Sequence, residues 1–184
     1  MTETDREDAR QRILTCAAQL FAENGIHSTS LADISQRAQV SKGTLYYHYT
    51  TKDMLISEVC EIHLMHMMNK IYAWLNDIHE NCNVNDAFAE LFDMLTDDLF
   101  HVKLHMALCS EATLGNSEVQ QIFREKYADM GLILDIASIR MNIKLHESAH
   151  QKQMLFMALD SLMLHSLMGI EPISCRYLLE RIYQ

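Results

Sequence analysis

The sequence is short of the residues that build tight turns: 184 residues hold five glycines and one proline. Sandwiches and barrels need frequent hairpins, whose turns draw heavily on such residues, so a many-stranded β fold is excluded. Collagen-like and low-complexity chains are excluded for the same reason. Cys16, Cys60, Cys82, Cys109 and Cys175 make an odd number with no CxxC pair, a poor disulfide framework. Basic residues are scarce, 15 Lys and Arg against 25 Asp and Glu for a net charge of −10. That balance argues against a surface that wraps nucleic acid all over. No stretch approaches the ~20 uninterrupted apolar residues of a membrane span. The opening MTETDREDAR is charged and lacks the apolar centre of a secretory signal. The expected location is the cytoplasm, with reduced thiols. A nucleophile motif, a Gly-rich phosphate loop and HExxH are also absent, so neither an enzyme nor a cofactor is expected.

What the chain does have is apolar bulk and helix formers. Hydrophobic residues make up 49%, charged residues 22%, and there are 13 methionines. Met is unbranched, favours helices and fills irregular core space. An all-α fold follows. The charge is unevenly placed: from Ala9 to Asp53 there are five basic and three acidic residues, and after Asp53 nine basic and eighteen acidic. Any nucleic-acid contact belongs to the first third, and the remainder is an acidic body.

Periodicity and end signals predict the helices. The first runs from Asp5 to Asn24, with Ile13, Leu14, Ala17, Leu20 and Phe21 on one face and Gly25 as its stop. Ser30 and Asp33 fit a capping box for a short helix to about Ala38. Ser41 caps another, to about Tyr47. Thr50 and Asp53 read as a second capping box, opening a long helix from Lys52 to about His79. Further helices are expected over Val84–Phe100 behind an Asn83 cap, Val102–Ala112, Ser117–Ile143, Glu147–Met168 and Ile173–Tyr183. Short helices give way to long ones near Thr50, which sets the domains at 1–51 and 52–184.

Two short helices joined by Ala38-Gln-Val-Ser41 fit a helix-turn-helix. In that motif one helix braces on the DNA backbone and the next enters the major groove by its N-terminal residues. Entry requires small or polar residues there, and Ser41, Lys42, Gly43 and Thr44 supply them. Leu45 anchors the core. Tyr46, Tyr47 and His48 carry polar tips toward phosphates.

From Arg12 to about Leu55 the sequence resembles the TetR (TetR/AcrR) family of bacterial transcriptional regulators. The resemblance runs through Ile13-Leu14, Leu20-Phe21, Gly25, Thr29-Ser-Leu-Ala-Asp33-Ile34, Ala38 to Tyr49 and Lys52-Asp-Met-Leu55. Gln39 stands where that family usually has Gly, and Tyr49 where it usually has Phe. The resemblance implies a homodimer on a palindromic double-stranded operator. By position it implies base or nearby contacts from Lys42, Gly43, Thr44 and Tyr46, and phosphate contacts from Thr29, Ser30, Tyr47, His48 and Lys52. It also implies a body that binds a small-molecule ligand and dimerises, or, in some relatives, docks a protein instead.

Within the body, Met65, Met68, Tyr72, Phe88, Phe92, Met106, Tyr127 and Met130 are candidate walls for an apolar ligand. His101, His105 and Cys109 form an i, i+4, i+8 stripe if their helix is continuous. Such a stripe suits a metal, a hydrogen-bonding ligand or plain helix packing; no metal site is expected. Leu155, Leu159, Leu162, Met163 and Ser166, then Tyr177, Leu178 and Ile182, give the last two helices more apolar surface than one subunit needs. Pairing these helices between subunits as a four-helix bundle is the expected dimer interface.

Overall fold

The computed structural model describes residues 3–79, 82–143, 149–170 and Tyr177. Among them are eight helices and no strand: α1 (Glu3–Asn24), α2 (Leu31–Arg37), α3 (Lys42–His48), α4 (Lys52–Asp77), α5 (Val84–Thr96), α6 (Leu99–Thr113), α7 (Ser117–Arg140) and α8 (Ala149–Leu167). The fold is all-α, with an N-terminal helix-turn-helix followed in sequence by a C-terminal helical body. No helix of the described residues is long and apolar enough to cross a membrane. The helix expected over Ile173–Tyr183 lies outside the described residues except for Tyr177, which is helical and exposed.

Local chemistry explains most boundaries. Gly25 ends α1 at φ +80°, a left-handed angle that Gly adopts without steric cost. Ser30 and Asp33 form the reciprocal capping box of α2. The Ser30 hydroxyl and amide hold the Asp33 carboxyl below its ordinary pKa. Asn83 caps α5 by accepting from the Asp86 amide at 3.1 Å.

Three expectations shift. The cap of α4 is Thr51, whose hydroxyl accepts from the Met54 amide at 3.3 Å, while the Thr50 hydroxyl turns to the Met54 sulfur. The expected helix to Phe100 instead breaks at Asp97 and Asp98, because the Asp98 carboxylate takes the Phe100 amide at 2.9 Å and starts α6 there. Asn116, not Ser117, caps α7, accepting from the Val119 amide at 3.2 Å.

By packing, the chain groups into two compact units. The first comprises residues through Leu64 with Lys103–Phe123, and the second Met65–Val102 with Arg124 onward. This grouping is separate from a division by chain position; α4, α6 and α7 each contribute to both units. In the first, Ile13, Ala17, Phe21, Ile34, Leu45 and Leu55 form a closed core among α1–α4. In the second, Trp74, Phe88, Phe92, Met130, Leu155 and Leu159 are buried together, and the Trp74 indole N–H donates to the Ala87 carbonyl at 2.7 Å.

Candidate nucleic-acid interface and ligand cavity

Helix α3 is set by two local devices. Ser41, in extended backbone, accepts from the Thr44 amide at 3.0 Å and shares a 2.8 Å hydrogen bond with its hydroxyl. Gln39 takes φ +54°, the left-handed angle that the α2–α3 turn demands. That angle costs an L side chain ~1–2 kcal/mol relative to Gly. The Gly-for-Gln difference noted in the sequence therefore falls on a strained residue.

Leu45 is buried and pins α3 to α1 and α2. Most of its other residues face out, His48 excepted. Ser41, Lys42 and Gly43 are exposed, Thr44 is half-buried, and Tyr46 and Tyr47 are 52% and 64% exposed. The Arg6 guanidinium lies 5.6 Å from the Tyr47 ring centre, which adds a cation to this face. Sequence reasoning missed Arg6, because it sits in the acidic leader rather than in the motif.

Of the residues expected at phosphates, Thr29 and Lys52 are engaged elsewhere and His48 is half-buried. Thr29 is buried, and its hydroxyl donates to the carbonyls of Gly25 at 2.9 Å and Leu20 at 3.3 Å. It locks the α1–α2 turn. Nε2 of His48 is buried without a hydrogen-bond partner, its ring edge-on to Tyr47 at 5.1 Å. The Lys52 ammonium donates to the Ile26 carbonyl, and burial pulls its pKa down against the opposing carboxylates of Glu111 and Asp53. Ser30 remains exposed beside its cap.

Tyr49 explains the second departure. Its hydroxyl donates to Glu58 at 2.9 Å, and Glu58 also accepts from Arg10. Burial, with the Glu58 carboxylate, raises the phenol pKa. A Phe would leave this link between α1, the end of α3 and α4 unmade. Arg37 adds a two-pronged pair with Glu23, at 3.1 and 2.9 Å, between α2 and α1.

In the second unit, an almost filled apolar cavity of about 20 Å3 is lined by Met67, Ile71, Phe88, Leu91, Phe92, Leu95, Tyr127, Met130, Leu134, Leu155, Phe156 and Leu159. Of the residues expected at a ligand, Phe88, Phe92, Tyr127 and Met130 are there. Met65 and Tyr72 are exposed, Met68 is buried away from the lining, and Met106 and Cys109 are half-buried elsewhere. Beside the cavity, an open groove of about 500 Å3 shares Tyr127 and Phe156, whose rings stack at 5.0 Å. Asp135 and Lys152 pair in it at 2.7 Å, and Tyr127 donates to Asp160 at 3.0 Å.

Helix α6 is continuous through the histidine stripe, but each ring has a different neighbour. His105 is fully buried, and its Nδ1 meets His63 Nε2 at 3.1 Å in the first unit. His101 stacks on His66 at 4.1 Å in the second. Burial and His66 push the His101 pKa down. Among the described residues no three His, Cys, Asp or Glu side chains are grouped to hold a metal. Burial raises the Cys60 thiol to about 12, so it is inert at neutral pH.

Helix α8 has two apolar stripes, and sequence reasoning chose the inner one for dimerisation. Leu155, Leu159, Leu162 and Met163 are buried within their own chain, and Leu155 and Leu159 line the cavity. The outward apolar residues are Met154, Met157 and Leu164, joined on α7 by Leu132, Ile136 and Ile139. Ser166 is exposed and donates to the Met163 carbonyl at 2.8 Å. Leu178 and Ile182 lie outside the described residues.

Residues 13–59 match the family of bacterial regulatory proteins, tetR family. The chain is 26% identical over 125 residues to the HTH-type transcriptional regulator UidR of Escherichia coli K12, covering 68% of this chain and 62% of that one. The match thus spans less than two thirds of the relative. A transcriptional regulator from Streptomyces coelicolor A3(2) superposes with a TM-score of 0.79 at 24% identity, covering 96% of this chain and 98% of the other. A regulator from Saccharomonospora viridis in complex with choline superposes at 0.76 with 17% identity, covering 96% and 94%. At these identities the structural likeness shows the fold.

Proposed function

As the chain belongs to the TetR family of bacterial regulatory proteins, we propose that it is a sequence-specific DNA-binding transcriptional regulator, a cytoplasmic repressor released from its operator by a small molecule. The observation that carries the reading is the Ser41-capped helix α3, which sinks Leu45 and presents Lys42, Gly43, Thr44, Tyr46 and Tyr47 outward. Its N-terminal residues meet base edges in the major groove, and Gly43 lets the backbone approach closely. Ser30 and Arg6 reach phosphates and fix register without reading sequence. Thr29 and Lys52 shape the turn that presents them.

Residues 1–51 then form the reading domain, and 52–184 the ligand-binding and dimerising body. The outward stripes of α7 and α8 face a second copy. A two-fold axis there spaces two α3 helices for a palindrome. Ligand enters beside Tyr127 and Phe156, spreads the apolar cavity and shifts α4, the helix that follows directly on the reading domain. It acts only through unequal affinity for the two positions. Methionines 67 and 130 in the lining suit such opening.

A second reading is favoured by the cavity's size. About 20 Å3 is far below the ~300–1,000 Å3 of an ordinary ligand site. A body that docks a protein and takes no small inducer fits that closure.

The test is selection of bound duplex from a random pool at stated salt. A recovered palindrome supports the sequence-reading dimer and supplies a probe for ligand screens. Recovery of no preferred sequence sinks it.

A further inference from the structure

We infer that the side-chain amide of Gln39 donates to a phosphate oxygen of bound duplex, a contact particular to this chain. The inference rests on the DNA-binding reading above. It starts from a helix stop that the described residues use four times. After α2 the Gln39 amide donates to the Gln36 carbonyl at 3.2 Å and the Val40 amide to the Ser35 carbonyl at 3.1 Å. The same two bonds follow α6 at Gly115 and Asn116, α7 at Asn142 and Ile143, and α8 at Gly169 and Ile170. The stop needs left-handed backbone at its first residue, which suits Gly and, next to it, Asn. Gly115, Asn142 and Gly169 meet that need at φ +106°, +54° and +66°. Gln39, at φ +54°, is the exception, and it stands in the helix-turn-helix.

Gln has neither the bare Cα of Gly nor the short amide with which Asn bonds nearby backbone. Backbone strain of this kind gathers where function uses the residue. Among the described residues nothing offsets it: the Gln39 side chain is exposed and makes no hydrogen bond. The amide is left open to a partner outside the chain.

Position names that partner. Lys42, three residues on, is exposed on α3. No more than ~10 Å of chain separates the two. A major groove is ~12 Å wide and has phosphates along both lips. With Lys42 at the groove, Gln39 is brought to a lip, where side chains meet phosphate. The grip there lacks two expected donors, because Thr29 and Lys52 turn to the Gly25 and Ile26 carbonyls. An amide N–H binds phosphate without carrying charge, so it fixes register, reads no sequence and releases no counterion.

The experiment measures binding of the full-length protein to the duplex selected from the random pool, over a salt series, beside thermal unfolding. Gln39→Gly removes the amide and the strain together. It weakens binding by about fivefold or more, with the salt slope unchanged and the melting temperature no lower. The loss is equal on duplexes altered at single base pairs, as a phosphate contact requires. Gln39→Glu keeps the length and the strain but sets a carboxylate against phosphate, and it weakens binding further. Gln39→Lys supplies a charged donor, keeps at least the parent's affinity at low salt and steepens the salt slope by about one. Parental affinity in Gln39→Gly overturns the inference. So does a loss confined to one base pair, which puts the amide at a base edge, or a lower melting temperature, which makes the side chain part of the fold. A protein that selects no duplex overturns the DNA-binding reading beneath it.

Discussion

Across α1–α3 the large apolar side chains turn inward, and only Tyr46 and Tyr47 are left exposed, both with hydroxyl tips. Along α7 and α8 the helices bury one stripe and leave another of Leu132, Ile136, Ile139, Met154, Met157 and Leu164 open. The first surface is finished as a polar object and suits a polar, charged partner. The second leaves several large apolar side chains exposed, the kind of surface through which two copies would meet in the proposed dimer. Both regions fix their helices by caps, ion pairs and apolar filling. The N-terminal helices have the caps Ser30 and Ser41, the Arg10–Glu58–Tyr49 link and the Arg37–Glu23 pair around Ile13, Phe21 and Leu45. The body has the caps Asn83, Asp98 and Asn116 and the Asp135–Lys152 pair around Trp74, Phe88 and Met130.

The largest expected effect breaks the reading region from inside. Leu45→Ala empties a fully buried site and costs ~2–5 kcal/mol, read by denaturant unfolding. A loss below ~1 kcal/mol would mean that α3 is not anchored there. Next comes the open stripe. Leu132→Glu combined with Met157→Glu puts like charges onto a self-facing patch and weakens self-association by ~2–4 kcal/mol. Sedimentation at micromolar concentration then shows monomer, with the melting temperature of the reading region little changed. An unchanged mass would move the interface elsewhere.

Lys42→Ala or Tyr46→Ala touches only the outer face. Each lowers affinity for the selected duplex by ~1–3 kcal/mol without altering unfolding. Equal losses in affinity and stability would make these residues core. Gln39→Gly relieves the left-handed angle and raises stability by ~0.5–1 kcal/mol, less the added freedom of the unfolded chain. A lower melting temperature would show that the Gln side chain contributes more than its backbone strain takes away.

The smallest effect is with pH. The folded pKa of His101 lies below its unfolded value, so its contribution to stability is present above ~6.5 and is lost as pH falls through the folded value. The ring keeps some contact with solvent, which makes the change small. Acidifying from neutral should lower the melting temperature less in His101→Gln than in the parent. Equal slopes would remove His101 from the acid response.

The reading region was legible because its signals are local. Ser30 with Asp33, Ser41, and Gly25 act on backbone within a few residues of themselves. The body was less so, for a physical reason. Leu155 and Met154 are neighbours of like hydropathy, and nothing in a helical repeat says which stripe meets its own subunit. Lys52 and Thr29 looked like phosphate ligands by position, and only the folded turn shows their polar atoms turned to Ile26 and Gly25. Arg10, Glu58 and Tyr49 meet across 48 residues of chain, beyond any spacing rule.

The filling of the apolar cavity has a volumetric consequence. A molecule that drops into a ready-made void leaves water and takes up no new space, so the system shrinks and compression favours the complex. With about 20 Å3 to offer, the cavity among the described residues is no such void. Whatever lodges among Phe88, Phe92 and Met130 has to bring its own volume and swell the protein by nearly as much. Hydrostatic pressure, which would favour binding into a ready-made void, would then be close to neutral toward the ligand of the proposed regulator.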